Sequence, residues 1–240
     1  MPEYQKINDW CILEGEEDEA MLAHTRESIQ DCIWHNKFVE THLIPHFLKS
    51  NRRTVIDVGA SYGWMTVTFA KYFEQVKCFE IRKDIRYALE KNTSTFSNVE
   101  IFDCGLSDNE KFVKVKYSKG TGLSSIAPEH FDGPAIETDS NGNLVRSLDS
   151  YNFENVDCIK IDVENHEIYV LQGALDTIKK WKPVVIVEIL FARKRHKKFF
   201  EPRQRIFKLF NSIDYEIADV RGSDFIFTHK SLNHYNDLNL

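Results

Sequence analysis

The sequence predicts an α/β fold, a mostly parallel seven-stranded sheet with helices on both faces. Three observations carry this. Short β-branched apolar runs alternate with stretches of helical spacing, a glycine turn directly follows the first run, and the last two runs stand close together as an antiparallel pair does. Thr54–Val58, Val76–Glu80, Val99–Asp103, Val156–Lys160 and Val184–Glu188 read as the parallel strands, three of them ending on a carboxylate. Between and after them, Trp64–Phe73, Ile85–Asn92, Glu167–Lys180 and Pro202–Asn211 have helical spacing. Tyr215–Val220 and Asp224–Thr228 read as the closing antiparallel pair.

Two segments depart from the alternation. Residues 1–53, with Trp10, Trp34 and a His/Phe-rich stretch at His42–Phe47, read as an N-terminal helical cap. Residues 118–150 hold four of the ten glycines, and Asn141-Gly142 between strand-like Ala135–Thr138 and Leu144–Leu148 predicts a hairpin insertion. No repeat or linker demands a second unit, so 54–240 is expected to form one globular body together with the cap.

The composition is that of a soluble globular chain: 240 residues, 42% hydrophobic, 28% charged, net charge −6. No stretch approaches the roughly 20 apolar residues of a membrane span, and Glu16-Glu17-Asp18-Glu19 stands where a signal peptide is basic and then apolar, so a cytoplasmic protein is expected. The five cysteines, Cys11, Cys32, Cys78, Cys104 and Cys158, are scattered, with no C-x-x-C pair for zinc or redox work. A net negative chain disfavours a dedicated nucleic-acid binder.

Asp57, Gly59 and Gly63 lie on the turn after the first strand. Glycines there let the backbone approach a ligand and turn helix N-terminal amides toward it. The G-x-x-x-G spacing lacks the G-x-G-x-x-G of a pyrophosphate site, and no Gly-Lys-Ser/Thr follows. An Asp two residues before the first glycine suits S-adenosylmethionine, which offers an ammonium group and no phosphate. Glu80 lies 23 residues (57 to 80) after Asp57, near the roughly 20 expected of a carboxylate that accepts ribose hydroxyls. Asp103, ending the third strand, falls where a neighbour of the adenine ring would lie.

The densest cluster is Lys160, Asp162, Glu164, His166 and Glu167, at the strand end where ligands of open α/β sheets bind. Acidic groups there also suit a helix N-terminus, which is the plainer account of Glu164 and Glu167. Glu188, ending the fifth strand, can close the same pocket.

These segments resemble the FkbM-type family of Rossmann-like class I S-adenosylmethionine-dependent methyltransferases. The resemblance is carried by VIDVGASYGWMT (55–66), CFEI (78–81), NVEIFDCGLSD (98–108), VRSLDSY (145–151), IKIDVENHEIYVLQGA (159–174) and KPVVIVEI (182–189). Two positions depart from the family pattern: Ser61 replaces the usual Asn, and Asn165 replaces Gly. Asn is among the few non-glycine residues that accept positive φ, so that turn is expected to survive.

The resemblance implies a methyltransferase domain over 54–240 and O-methylation of a hydroxyl on a sugar, a glycan or glycolipid, or a small natural product. Asp57, Gly59, Gly63, Glu80 and Asp103 would hold the cofactor, while Asp162, Glu164 and His166 would face the acceptor. His166 matches a base near neutral pH best, and Asp162 or Glu164 could serve instead. No metal is required by this reading; a divalent ion, if used, would take Asp162, Glu164 and Glu188. Two alternatives are an RNA ribose methyltransferase, suggested by five Lys/Arg among the six residues Arg193 to Lys198, and a non-catalytic S-adenosylmethionine-binding module. The oligomeric state is not legible.

Overall fold

The computed structural model describes residues 2–15, 37–117, 124–126, 136–189 and 200–232. The chain opens with a β-hairpin, β1 (Tyr4–Ile7) and β2 (Trp10–Leu13). The expectation of an N-terminal helical cap over 1–53 is corrected at this hairpin, and tertiary contacts are the reason. Asn8 takes the turn at φ 51°, Trp10 packs on Trp64 with ring centroids 4.2 Å apart, and Asn92 clamps Cys11. The Asn92 Oδ1 accepts the Cys11 amide at 2.6 Å, and its Nδ2 donates to the carbonyls of Cys11 and Tyr62 at 3.2 and 2.9 Å. Helical structure appears at a π-type turn, Val39–Leu43, running into α1 (Ile44–Phe47). Trp34 and the basic run at 193–198 lie outside the described residues.

The elements that follow are β3 (Thr54–Val58), α2 (Trp64–Tyr72), β4 (Gln75–Phe79), α3 (Lys83–Thr93), β5 (Val99–Phe102), β6 (Gly105–Leu106), β7 (Lys111–Tyr117), β8 (Ser124–Ser125) and β9 (Ile136–Arg146). Then come β10 (Val156–Ile161), α4 (Glu167–Gln172), α5 (Leu175–Trp181), β11 (Val184–Glu188), α6 (Phe200–Ser212), β12 (Tyr215–Arg221) and β13 (Asp224–His229). Seven strands form the main sheet in the order β12-β13-β11-β10-β3-β4-β5. The five from β11 to β5 are parallel, and β13 runs antiparallel to both its neighbours, as the sequence predicted.

Alternation along the strands explains the two helical layers. Val55, Cys78, Cys158, Val184 and Ile186 bury one face against α2 and α3. Ile56, Val58, Ile159, Val185 and Val187 bury the other against α4, α5 and α6. The result is a Rossmann-like α/β fold.

Two local expectations fail for identifiable reasons. The single helix expected over Glu167–Lys180 is broken into α4 and α5, because Asp149 caps a second N-terminus there: its carboxylate accepts the amides of Asp176 and Thr177 at 3.0 and 2.8 Å. The Asn141-Gly142 hairpin is absent, and both residues lie inside the unbroken β9. Pairing with β7 jumps from Val113↔Asn143 to Val115↔Thr138, so the extra residues form a bulge, with Gly142 at φ 75°. With β6, β7 and β8, β9 forms a smaller four-stranded sheet. Among the described residues Cys11, Cys78, Cys104 and Cys158 are free thiols, and no helix is long and apolar enough to cross a membrane.

Candidate active site

A cavity of 690 Å³ opens at the C-terminal edge of the parallel strands. One end is built by the turn after β3. Gly59 sits at φ 76°, and a Cβ there would stand 1.8 Å from the Asp162 carbonyl, so only glycine lets this turn pass against the end of β10. Ser61 is also left-handed, at φ 51°. That conformation aims its amide at Glu80, whose Oε2 accepts it at 2.9 Å while Oε1 accepts the Arg82 amide at 2.9 Å. Burial raises the Glu80 carboxyl above its usual range, and these two amides partly offset that.

At the other end Lys160 gathers carboxylates. Its Nζ lies 3.1 Å from Asp162 and 3.8 Å from Asp57. Burial alone would lower the ammonium pKa, but the charges of Asp162 and Asp57 outweigh it and raise it. Asp162 responds in kind: burial pushes its carboxyl up, yet Lys160 and a bond from Glu188 hold it below the usual range. Glu164 is pushed up to about 8, first by burial and then by the charges of Asp162 and Glu167. Glu188 is pushed up to about 9 by burial and by Asp162, and Ser223 donates to its Oε1 at 3.0 Å. Asp162, Glu164 and Glu188 each bring a carboxylate oxygen within 4.8 Å of the others, the set expected for a divalent ion. The Lys160 ammonium already supplies a cation to that set.

Glu164 and Asn165 turn the chain here with positive φ, 54° and 74°. Asn165 keeps the turn where glycine was expected. Glu167 shapes it: the Glu167 carboxylate accepts the Asn165 amide at 2.9 Å, and burial raises that carboxyl to about 7. Ser125 of β8 reaches over from the smaller sheet and donates to the Glu164 carbonyl at 2.6 Å.

Of the residues singled out for the cofactor, Gly59 and Glu80 line the cavity, as do Asp162, Glu164, His166 and Glu188 of the acidic cluster. Asp57, Gly63 and Asp103 are not on its wall. Asp57 is fully buried beneath it, where Oδ2 accepts from Thr66 Oγ1 at 2.6 Å. Gly63, at φ 93°, starts α2 against Leu89, and Asp103 is exposed. Asp224 was missed. It stands directly opposite Glu188 in the β11–β13 pair and lines the cavity, a like-charge juxtaposition that sheets ordinarily avoid. Arg221 and Phe38 also reach the wall.

The model of the methyltransferase FkbM domain matches residues 57–221. The chain belongs to the FkbM methyltransferase family. No curated protein matches it. Among solved structures it is similar to methyltransferase FkbM from Methylobacillus flagellatus KT, with 20% identity over 73% of this chain and a TM-score of 0.46. It covers 43% of that protein, less than half its length. It is also similar to Aeropyrum pernix fibrillarin in complex with S-adenosyl-L-methionine, with 12% identity over 75% of this chain and 67% of that one, TM-score 0.45. Precorrin-6y C5,15-methyltransferase from Geobacter metallireducens GS-15 shares 10% identity over 79% of this chain and 87% of that one, TM-score 0.45.

Proposed function

We propose that this FkbM-family methyltransferase uses S-adenosylmethionine to methylate a hydroxyl of a sugar, a glycan or glycolipid, or a small natural product. The observation that carries the reading is a single cavity with Glu80 at one end and the Asp162, Glu164 and His166 group at the other. Its 690 Å³ suits a ligand of this size. Glu80 is held by two amides and has lone pairs left for both ribose hydroxyls, while Ile81, Ile85 and Leu106 offer apolar wall to a purine ring. The carboxylate end suits a ligand that carries an ammonium and a sulfonium.

When bound, S-adenosylmethionine supplies a methyl group on a positively charged sulfur. The chain orients the acceptor and removes its proton. His166 is the base. Glu164, titrating at about 8, is largely protonated near neutral pH and donates a hydrogen bond to an acceptor oxygen.

Calorimetric titration with S-adenosylmethionine and S-adenosylhomocysteine, with and without Mg²⁺, is the first test. Micromolar binding without the ion is expected, and no binding at millimolar ligand overturns the cofactor assignment. Label transferred from the methyl group to a panel of sugars and glycolipids then tests the acceptor. An alkali-stable ether product is expected; an alkali-labile ester would overturn the hydroxyl.

A further inference from the structure

The tip of the β12–β13 hairpin carries a cation that none of the roles above uses. Arg221 ends β12 and lines the cavity, and its side chain is 58% exposed. Two neighbours fix its direction. Nε donates to Asp219 Oδ2 at 2.8 Å, and Nη2 stands 3.4 Å from Nδ1 of His42, 179 residues away in the π-type turn. Asp219 Oδ2 also lies 2.5 Å from His42 Nε2, so one carboxylate oxygen aligns both side chains. Burial and the Arg221 charge hold the imidazole below its usual range, so His42 adds no second positive charge at neutral pH.

A guanidinium has five N–H donors in a planar fork. Asp219 and His42 take the Nε–Nη2 edge, and among the described residues no further hydrogen bond reaches Arg221. The Nη1–Nη2 edge therefore keeps two parallel donors, the pattern that receives the two oxygens of a carboxylate or phosphate. Beside it Gly222, at φ 64°, lines the cavity and has open space where a Cβ would stand. Ser223 ties the tip down: its carbonyl accepts the Ile189 amide at 2.7 Å, and its hydroxyl donates to Glu188 at 3.0 Å. Arg221 stands opposite Asp224, and Asp224 opposite Glu188, in register across three strands. Neighbouring strands lie roughly 4.8 Å apart, which puts the backbone of Arg221 about 10 Å from that of Glu188, near the span of a hexose with one substituent.

We propose that Arg221 is a specificity-determining residue that selects acceptors carrying an oxyanion, a carboxylate or a phosphate, about one sugar ring away from the hydroxyl to be methylated. Asp219 and His42 are positioning residues that turn the open edge of the guanidinium to that group. This selection rests on the reading of the cavity as the site of a hydroxyl acceptor, and it gives that acceptor a chemical class. The acidic wall supplies the other half of the choice. Glu188 and Asp224 disfavour an anion at the hydroxyl end, so an anionic sugar enters in one orientation.

Calorimetry on the full chain, free and saturated with S-adenosylhomocysteine, tests this with glucose 6-phosphate, glucuronate and glucose as probes. At least one of the two anionic sugars is expected to bind about tenfold or more tighter than glucose, and the preference should shrink as salt rises. Comparing the two anions distinguishes phosphate from carboxylate. Arg221→Gln should abolish the preference while its amide spectra stay those of the folded wild type. Arg221→Lys, which keeps the charge without the fork, should retain only part of it, and Asp219→Asn should weaken it with glucose unaffected. Equal affinity for the anions and glucose, no binding of either anion at millimolar concentration, or a preference that survives Arg221→Gln overturns the proposal. A chain that binds an anionic sugar through Arg221 but never S-adenosylhomocysteine would overturn the cofactor assignment instead.

Discussion

The two ends of the cavity handle negative charge in opposite ways. Glu80 is held by neutral dipoles, the amides of Ser61 and Arg82, in a geometry fixed before any ligand arrives. Asp162, Glu164, Glu188 and Asp224 stand against one another instead, with Lys160 the ammonium buried among them. Backbone amides cannot leave, so the geometry of the first end is fixed. The second end trades protons and charge, which suits chemistry that moves a proton and discharges a sulfonium.

Removing the cation is the severest way to break this contrast. Lys160→Met leaves Asp57 fully buried without its compensating charge, and losing one partner of a buried pair costs about 3–5 kcal/mol. Urea unfolding should show that loss. A change below about 1 kcal/mol would mean that Asp57 is neutral in the folded chain and that the acidic end does not depend on Lys160. Glu80→Ala should act at the other end, weakening S-adenosylmethionine by about 1–3 kcal/mol, or roughly fivefold to 150-fold in Kd. Wild-type affinity in calorimetry would remove Glu80 from the ligand contact.

The first end was legible in the sequence because it is local. A glycine turn, a strand and a carboxylate at fixed spacing leave little freedom, and Glu80 falls where the spacing put it. Continuous β-branched apolar runs likewise made the parallel main-sheet strands readable, since both of their faces are buried. What stayed hidden depends on partners distant along the chain. Asp224 faces Glu188 only through the register of β11 on β13. Ser107 meets His166 across 59 residues, and Asp149 breaks a helix from 28 residues away. Local signals also misled where tertiary contacts outweigh them, as Asn141-Gly142 shows by lying within β9. Asp57 was placed on the ligand because it adjoins the glycine turn. Strand alternation turns it away, into the layer that Thr66 covers.

The smallest effect separates the ends by pH. Glu164 has a folded pKa of about 8 against an ordinary 4.5, so the folded chain binds its proton more tightly than the unfolded chain does. The stability this proton confers is complete below the unfolded value and is lost as pH rises through about 8. Glu188 repeats the pattern, with loss through about 9. Glu164→Gln keeps the shape of the protonated side chain and removes the Glu164 titration. Melting temperatures of the variant and the wild type should therefore coincide near pH 4 to 5 and diverge above it, the variant melting higher by about pH 9. Parallel curves over that range would mean that Glu164 titrates as an ordinary solvated carboxylate. The same comparison on Glu80→Gln should give a shallower divergence, because the Ser61 and Arg82 amides offset part of the burial that raises Glu80.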